Sequence, residues 1–241
     1  MTPASTSRDR LGTLLESRHD LWRGRSQPDR PTLPTGHAGL DDWLPAGGWP
    51  CGCLIELVPQ QAGVGELRLL LPLLADQTRQ KRPVVLAAPP LLPCPQALQA
   101  AGIDLAHLIV VRRHDQALWA AEQCLKSGLC GAVLIWPPDR VQARAVRRLQ
   151  LAAEHGPAPA FLYYRPNQPA PTSLATLRLA IRPGAEIELL RAPGQSGGRI
   201  LQLKTSNIVP LKPLTFTQYR APEIQHPGPL AQPPAPQFSQ T

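Results

Sequence analysis

Residues 33–67 read LPTGHAGLDDWLPAGGWPCGCLIELVPQQAGVGEL. Leu54–Val58 is an apolar strand, reached through a Gly-Gly-x-Pro-x-Gly turn at Gly47–Gly52, and a glycine-bearing loop follows it. A loop in that place grips phosphate when it reads G-x-x-x-x-G-K-[ST]. Backbone amides then cradle the anion, the Lys reaches the β- and γ-phosphates, and the hydroxyl binds Mg²⁺. This loop has Gly63 and then Gly65 where the last glycine belongs, but Glu66 stands in the Lys position and Leu67 in the Ser/Thr position. A carboxylate aimed at a triphosphate repels it. The residues predict a retained fold, a degenerate loop and no ATP cofactor.

Working outward, strand and helix patterns alternate over residues 31–204. Helices are predicted at Gly65–Gln80, with Pro72 kinking it or shifting its start, at Gln96–Ala101 before Gly102, at Asp115–Ser127 with Asp115 near the N-cap and Gly128 past the end, and at Asp139–His155. Strands are predicted at Pro83–Ala88, His107–Val111, Ala132–Trp136 and Ala160–Tyr164. Leu174–Ile181, Glu186–Arg191 and Arg199–Lys204 then follow as strands with no helix between them. This order predicts an α/β fold with a mostly parallel sheet flanked by helices and an antiparallel C-terminal edge. Residues 1–30 form an N-terminal arm in which Leu11, Leu14, Leu15, His19 and Trp22 share a helical face. Residues 205–241 hold eight Pro and read as an extended tail.

Composition narrows the function. With 241 residues and 43% hydrophobic content the chain can bury a core. The net charge of +8 suits an acidic partner, nucleic acid being the usual one. The five Cys fall in no C-x-x-C spacing, and the six His form no H-x-x-x-H pair. Free thiols in a reducing cytosol are expected, with no metal site. No apolar run approaches the length of a membrane span.

The stretch LPTG-x-x-x-LD-x-x-LPAGGWP-x-G-x-L-x-EL resembles the approach to the nucleotide loop in RecA-type ATPases. The resemblance extends over residues 33–204 and implies a RecA-like core. It also implies two further losses. Pro89 stands about where the catalytic Glu of that family activates water, and Trp136 stands where an Asp helps to hold Mg²⁺. The long DNA-binding loop after that strand is replaced by Trp136-Pro137-Pro138 running into a helix. Together with GVGELRLLLPLLA and DQALWAAEQCLKSGLCGAVLIWPP, the sequence resembles the ImuA family of translesion-synthesis accessory proteins, which is often grouped with SulA-type cell-division inhibitors. That resemblance implies a non-catalytic role in SOS-induced mutagenesis, with ImuB, RecA and the error-prone DnaE2 polymerase assembly as partners. The alternatives are a SulA-like inhibitor of a cytoskeletal GTPase, and a RecA-type ATPase or recombinase with an atypical loop.

Three surface features are candidates for binding. Arg140, Arg144 and Arg148 recur every four residues with Arg147 beside them, opposite Val141, Ala145, Leu149 and Ala152. They form a stripe that suits DNA phosphates or an acidic protein surface, or else a plainly solvated face. Arg112, Arg113 and His114 end a strand, where they meet phosphate or mark a helix start. Trp22 is the candidate partner anchor, whereas Trp43, Trp49, Trp119 and Trp136 are expected in core or turn packing.

Overall fold

The computed structural model describes residues 30–137, 141–166, 175–193 and 197–203. The N-terminal arm with Trp22, the tail, Asp139 and Arg140 all lie outside the described residues. Strands β1 (Thr32–Leu33) and β2 (Trp49–Pro50) pair antiparallel on either side of helix α1 (Ala38–Trp43). The Thr-Gly pair sets up this helix. Thr35 Oγ1 accepts the His37 N–H at 3.0 Å and donates to the His37 carbonyl, while Asp41 accepts the Thr35 N–H at 2.8 Å. Gly36 has φ +80°, and a Cβ there would lie 2.2 Å from the Pro72 Cβ, so only glycine lets this turn sit on the helix behind it.

The main sheet is built from β3 (Leu54–Pro59), β4 (Val84–Ala87), β5 (Leu108–Val111), β6 (Ala132–Ile135), β7 (Ala160–Tyr163), β8 (Leu177–Arg182), β9 (Glu186–Arg191) and β10 (Arg199–Gln202). Its order is β10-β9-β8-β3-β7-β6-β4-β5. Every pairing from β8 to β5 is parallel, and the β8–β9 and β9–β10 pairings are antiparallel. The fold is therefore the α/β class read from the sequence, with the antiparallel strands at one edge.

Helices cover both faces, which is why the central strands are apolar apart from Glu56 in β3. Alternate residues divide between two cores. Ile55, Leu57, Leu86, Leu134 and Phe161 pack beneath α1, α2 (Leu71–Arg79) and α3 (Pro95–Ala100). Leu54, Val85, Val133, Ile135 and Leu162 pack beneath α4 (Ala117–Ser127) and α5 (Ala143–Ala153).

Three helix starts differ from expectation. Helix α2 begins at Leu71, because Pro72 lacks an N–H and is accommodated in the first turn. Residues 65–70 make separate turns, such as Leu69 N–H to the Gly65 carbonyl at 3.2 Å. Helix α4 begins at Ala117, after a 3₁₀ turn at His114–Gln116. Asp115 does not cap it, because Arg113 takes both carboxylate oxygens at 3.1 and 2.6 Å. Helix α5 begins at Ala143, with Gln142 extended as its N-cap. Trp119 also departs from the core assignment, since 60% of it is exposed. Trp49 is fully buried, edge-on to Phe161 at 5.2 Å.

Candidate functional site

Strand β3 delivers the glycine-bearing loop to the C-terminal edge of the parallel sheet, the edge at which α/β folds bind ligands. Gly63 and Gly65 adopt φ of +76° and +91°. Successive turns of this kind aim amides into a concavity that suits an anion. Here the loop supplies its own. The Gly63 N–H donates to Glu66 Oε1 at 3.4 Å. Glu66 Oε2 is buried and has no hydrogen-bond partner. Leu67 packs against the core beneath α1 and α2. Because α2 starts at Leu71, its N-terminal amides are displaced from the glycines that a phosphate loop would place against them.

The loop borders a cavity of about 350 Å³ formed by the ends of β3, β4, β6 and β7. Tyr163 and Tyr164 line it together with Trp136, Ala88 and Pro59. The Trp136 ring stacks on Tyr163 with centroids 4.6 Å apart and planes 3° from parallel. Its backbone N–H donates to the Ala87 carbonyl at 3.0 Å, which fixes it at the end of β6. Ala88 bends the chain out of β4 with φ +55°, immediately before Pro89. Glu66 is the only carboxylate among the described residues lining the cavity, and His114 and Arg165 are its basic members. The Tyr163 hydroxyl donates to the Glu66 carbonyl at 3.4 Å. Burial, and secondarily the charge of Glu66, hold that phenol well above its usual range. Next to the glycine-bearing loop the ends of β4 and β6 thus present a proline and a stacked indole. Among the described residues no group of three His, Cys, Asp or Glu side chains is arranged to hold a metal ion.

A buried polar group beneath this cavity was not read as a site from the sequence. Glu56 is fully buried in the middle of β3. The Tyr164 hydroxyl donates to its Oε1 at 3.1 Å, and Arg178 Nε lies 3.5 Å from its Oε2. Arg178 also sits over the Tyr164 ring at 5.8 Å. Burial first, and then the Glu56 charge, raise the Tyr164 hydroxyl well above a free phenol. The signal available in the sequence was one acid inside an apolar strand and one arginine inside a later strand. Only the parallel register, which sets Glu56 opposite Arg178, joins them.

The arginine stripe divides. Arg144, Arg147 and Arg148 are all exposed on α5. Arg148 is already engaged: its guanidinium bonds to Glu122 on α4, and Lys126 holds the other Glu122 oxygen at 2.7 Å. The Lys126 hydrogen bond and then Arg148 keep the Glu122 carboxyl below its usual range. Arg148 therefore serves the α4–α5 contact and is not a free phosphate ligand. Arg144 and Arg147 make no ion pair among the described residues. Arg113 is likewise committed, to Asp115, which favours the helix-start reading of that pair.

Residues 52–160 match the family model described as Cell division inhibitor SulA. The matched segment runs from just before β3 to the first residue of β7, so it contains the loop of Gly63–Leu67 and most of the cavity. No curated protein matches the chain. Among the described residues, no helix is long and apolar enough to cross a membrane.

Proposed function

We propose that the chain is a non-catalytic, RecA-like adaptor of the SOS response. In this reading it acts in translesion synthesis and damage-induced mutagenesis through contacts with ImuB, RecA and the DnaE2 polymerase assembly. The observation that carries the non-catalytic part is the loop filled by its own carboxylate. Glu66 occupies the Gly63 amide that a phosphate would take, and its charge opposes a triphosphate. Phosphoryl transfer depends on positioning and on neutralising charge. A site with Glu66, Pro89 and Trp136 in the gripping, base and metal positions supplies neither. The SulA match supports the link to the SOS response. A phosphate-release assay on the purified protein, with ATP, Mg²⁺ and single-stranded DNA, tests the reading. No turnover is expected, and DNA-stimulated hydrolysis overturns it.

The same match favours a second reading, that of a SulA-like inhibitor of cell division. It is also non-catalytic, and the two differ in partner. Pull-downs against FtsZ and ImuB separate them: retention of ImuB alone supports the adaptor, and retention of FtsZ alone supports the inhibitor.

A further inference from the structure

Glu66 is a charge without a partner. One oxygen takes a long hydrogen bond from Gly63, and the other is buried with no donor. No described cation pairs with it. The residue is half-buried, and an oxygen held out of water without a donor is a position that a cation can satisfy. The cavity beside it holds what a guanidinium needs. Trp136, half-buried and backed by the buried Tyr163 ring stacked on it, supplies an aromatic wall on which a planar cation gains both stacking and cation–π attraction. Pro59, Pro90, Pro137 and Pro166 stiffen the remaining walls, so little ordering accompanies binding. The volume of about 350 Å³ accommodates one long side chain. The opposing charges are His114 and Arg165, both exposed to solvent and so better screened than Glu66.

We infer that this cavity is a docking site for an arginine side chain presented by a protein partner, its guanidinium meeting Glu66 and lying against the Trp136–Tyr163 stack. The inference rests on the reading that the site has left ATP chemistry and names what replaced it. The loop glycines remain because they shape the pocket, and the substitution that repels phosphate is the one that attracts a cation. Arginine is preferred to lysine because its planar fork can both stack and pair with a carboxylate.

The test is a fluorescence and calorimetric titration of the full chain with N-acetyl-arginine amide and with a short arginine-bearing peptide. N-acetyl-norleucine amide and ATP–Mg²⁺ serve as parallel titrants. Saturable quenching by the arginine probes and none by norleucine amide is expected. Glu66→Gln, which keeps the size of the side chain and the acceptor for Gly63, should weaken arginine binding about tenfold, the loss expected for one charge-assisted hydrogen bond. Trp136→Leu should weaken it with the carboxylate intact. Equal affinity in Glu66→Gln, or no saturable binding by wild type, overturns the inference while leaving the non-catalytic reading in place. Saturable ATP binding lost in Glu66→Gln would overturn both. Thermal melts of each variant separate lost binding from lost folding.

Discussion

Glu56 and Glu66 belong to the same strand and the loop that follows it, yet the fold treats them oppositely. Glu56 is enclosed in the sheet, where Tyr164 donates to one oxygen and the Arg178 guanidinium stands 3.5 Å from the other, an ion pair without a hydrogen bond. Glu66 stands at the strand's open end, with one oxygen lacking a donor and no ion pair to a described residue. The two basic positions on α5 repeat the contrast, since Arg148 is held by Glu122 whereas Arg144 makes no ion pair among the described residues. Charges that the fold has paired hold it together. Charges it has left unpaired are the ones available to a partner.

The largest effect should come from the most enclosed pair. Glu56→Ala leaves Arg178 without its carboxylate and should lower stability by about 3–5 kcal/mol in urea unfolding. Replacing both residues, as Glu56→Leu with Arg178→Leu, should cost much less than the two single changes together. A Glu56→Ala cost below that of an ordinary surface change would erase the distinction between the two acids.

The basic helix offers the next contrast. If the chain binds duplex DNA, Arg144→Ala with Arg147→Ala should flatten the dependence of log K on log salt by about two. Arg148→Ala should change that slope little, because its guanidinium is engaged by Glu122. Equal slopes for all three proteins would return Arg144 and Arg147 to an ordinary solvated face.

Glu122 sharpens the comparison through pH. Its folded-state carboxyl titrates below its ordinary value of 4.5, with the Lys126 hydrogen bond as the first cause. The stability it contributes is therefore present above pH 4.5 and is lost as pH falls through the lower folded value. Glu122→Gln should remove about 1 kcal/mol at neutral pH. The difference from wild type should close in acid, and a gap that persists unchanged at pH 2 would show that packing, not charge, is responsible.

The smallest stability effect is expected at the loop. Glu66→Gln should shift the urea midpoint by about 0.5 kcal/mol or less, since it breaks no ion pair. Glu66→Lys should still give no ATP turnover in a phosphate-release assay, because Pro89 and Trp136 remain. Turnover in that variant would mean that the loop alone had silenced an otherwise competent site.

Much of this was legible in the chain. Continuous apolar runs such as Ala132–Ile135 marked strands covered on both faces, and three strands without helices between them at the C-terminal end marked the antiparallel edge. Glu66 was legible as a carboxylate in a glycine-bearing loop, because a motif position is a local property. Helix starts were less so. Pro72 signalled a shift, but how far depended on whether residues 65–70 found other hydrogen bonds.

The sequence alone determined the α/β class, the order of its elements and the chemical character of the loop, since periodicity and residue type act over neighbouring positions. Tertiary structure decided which charges are partners. Arg178 meets Glu56 because two distant strands lie in parallel register, and Arg148 meets Glu122 because α4 packs on α5. The same assembly left Trp119 exposed and brought Trp136 onto Tyr163 beside Glu66. Pairing energies depend on distance and burial, and both are set only when the sheet and its helices come together.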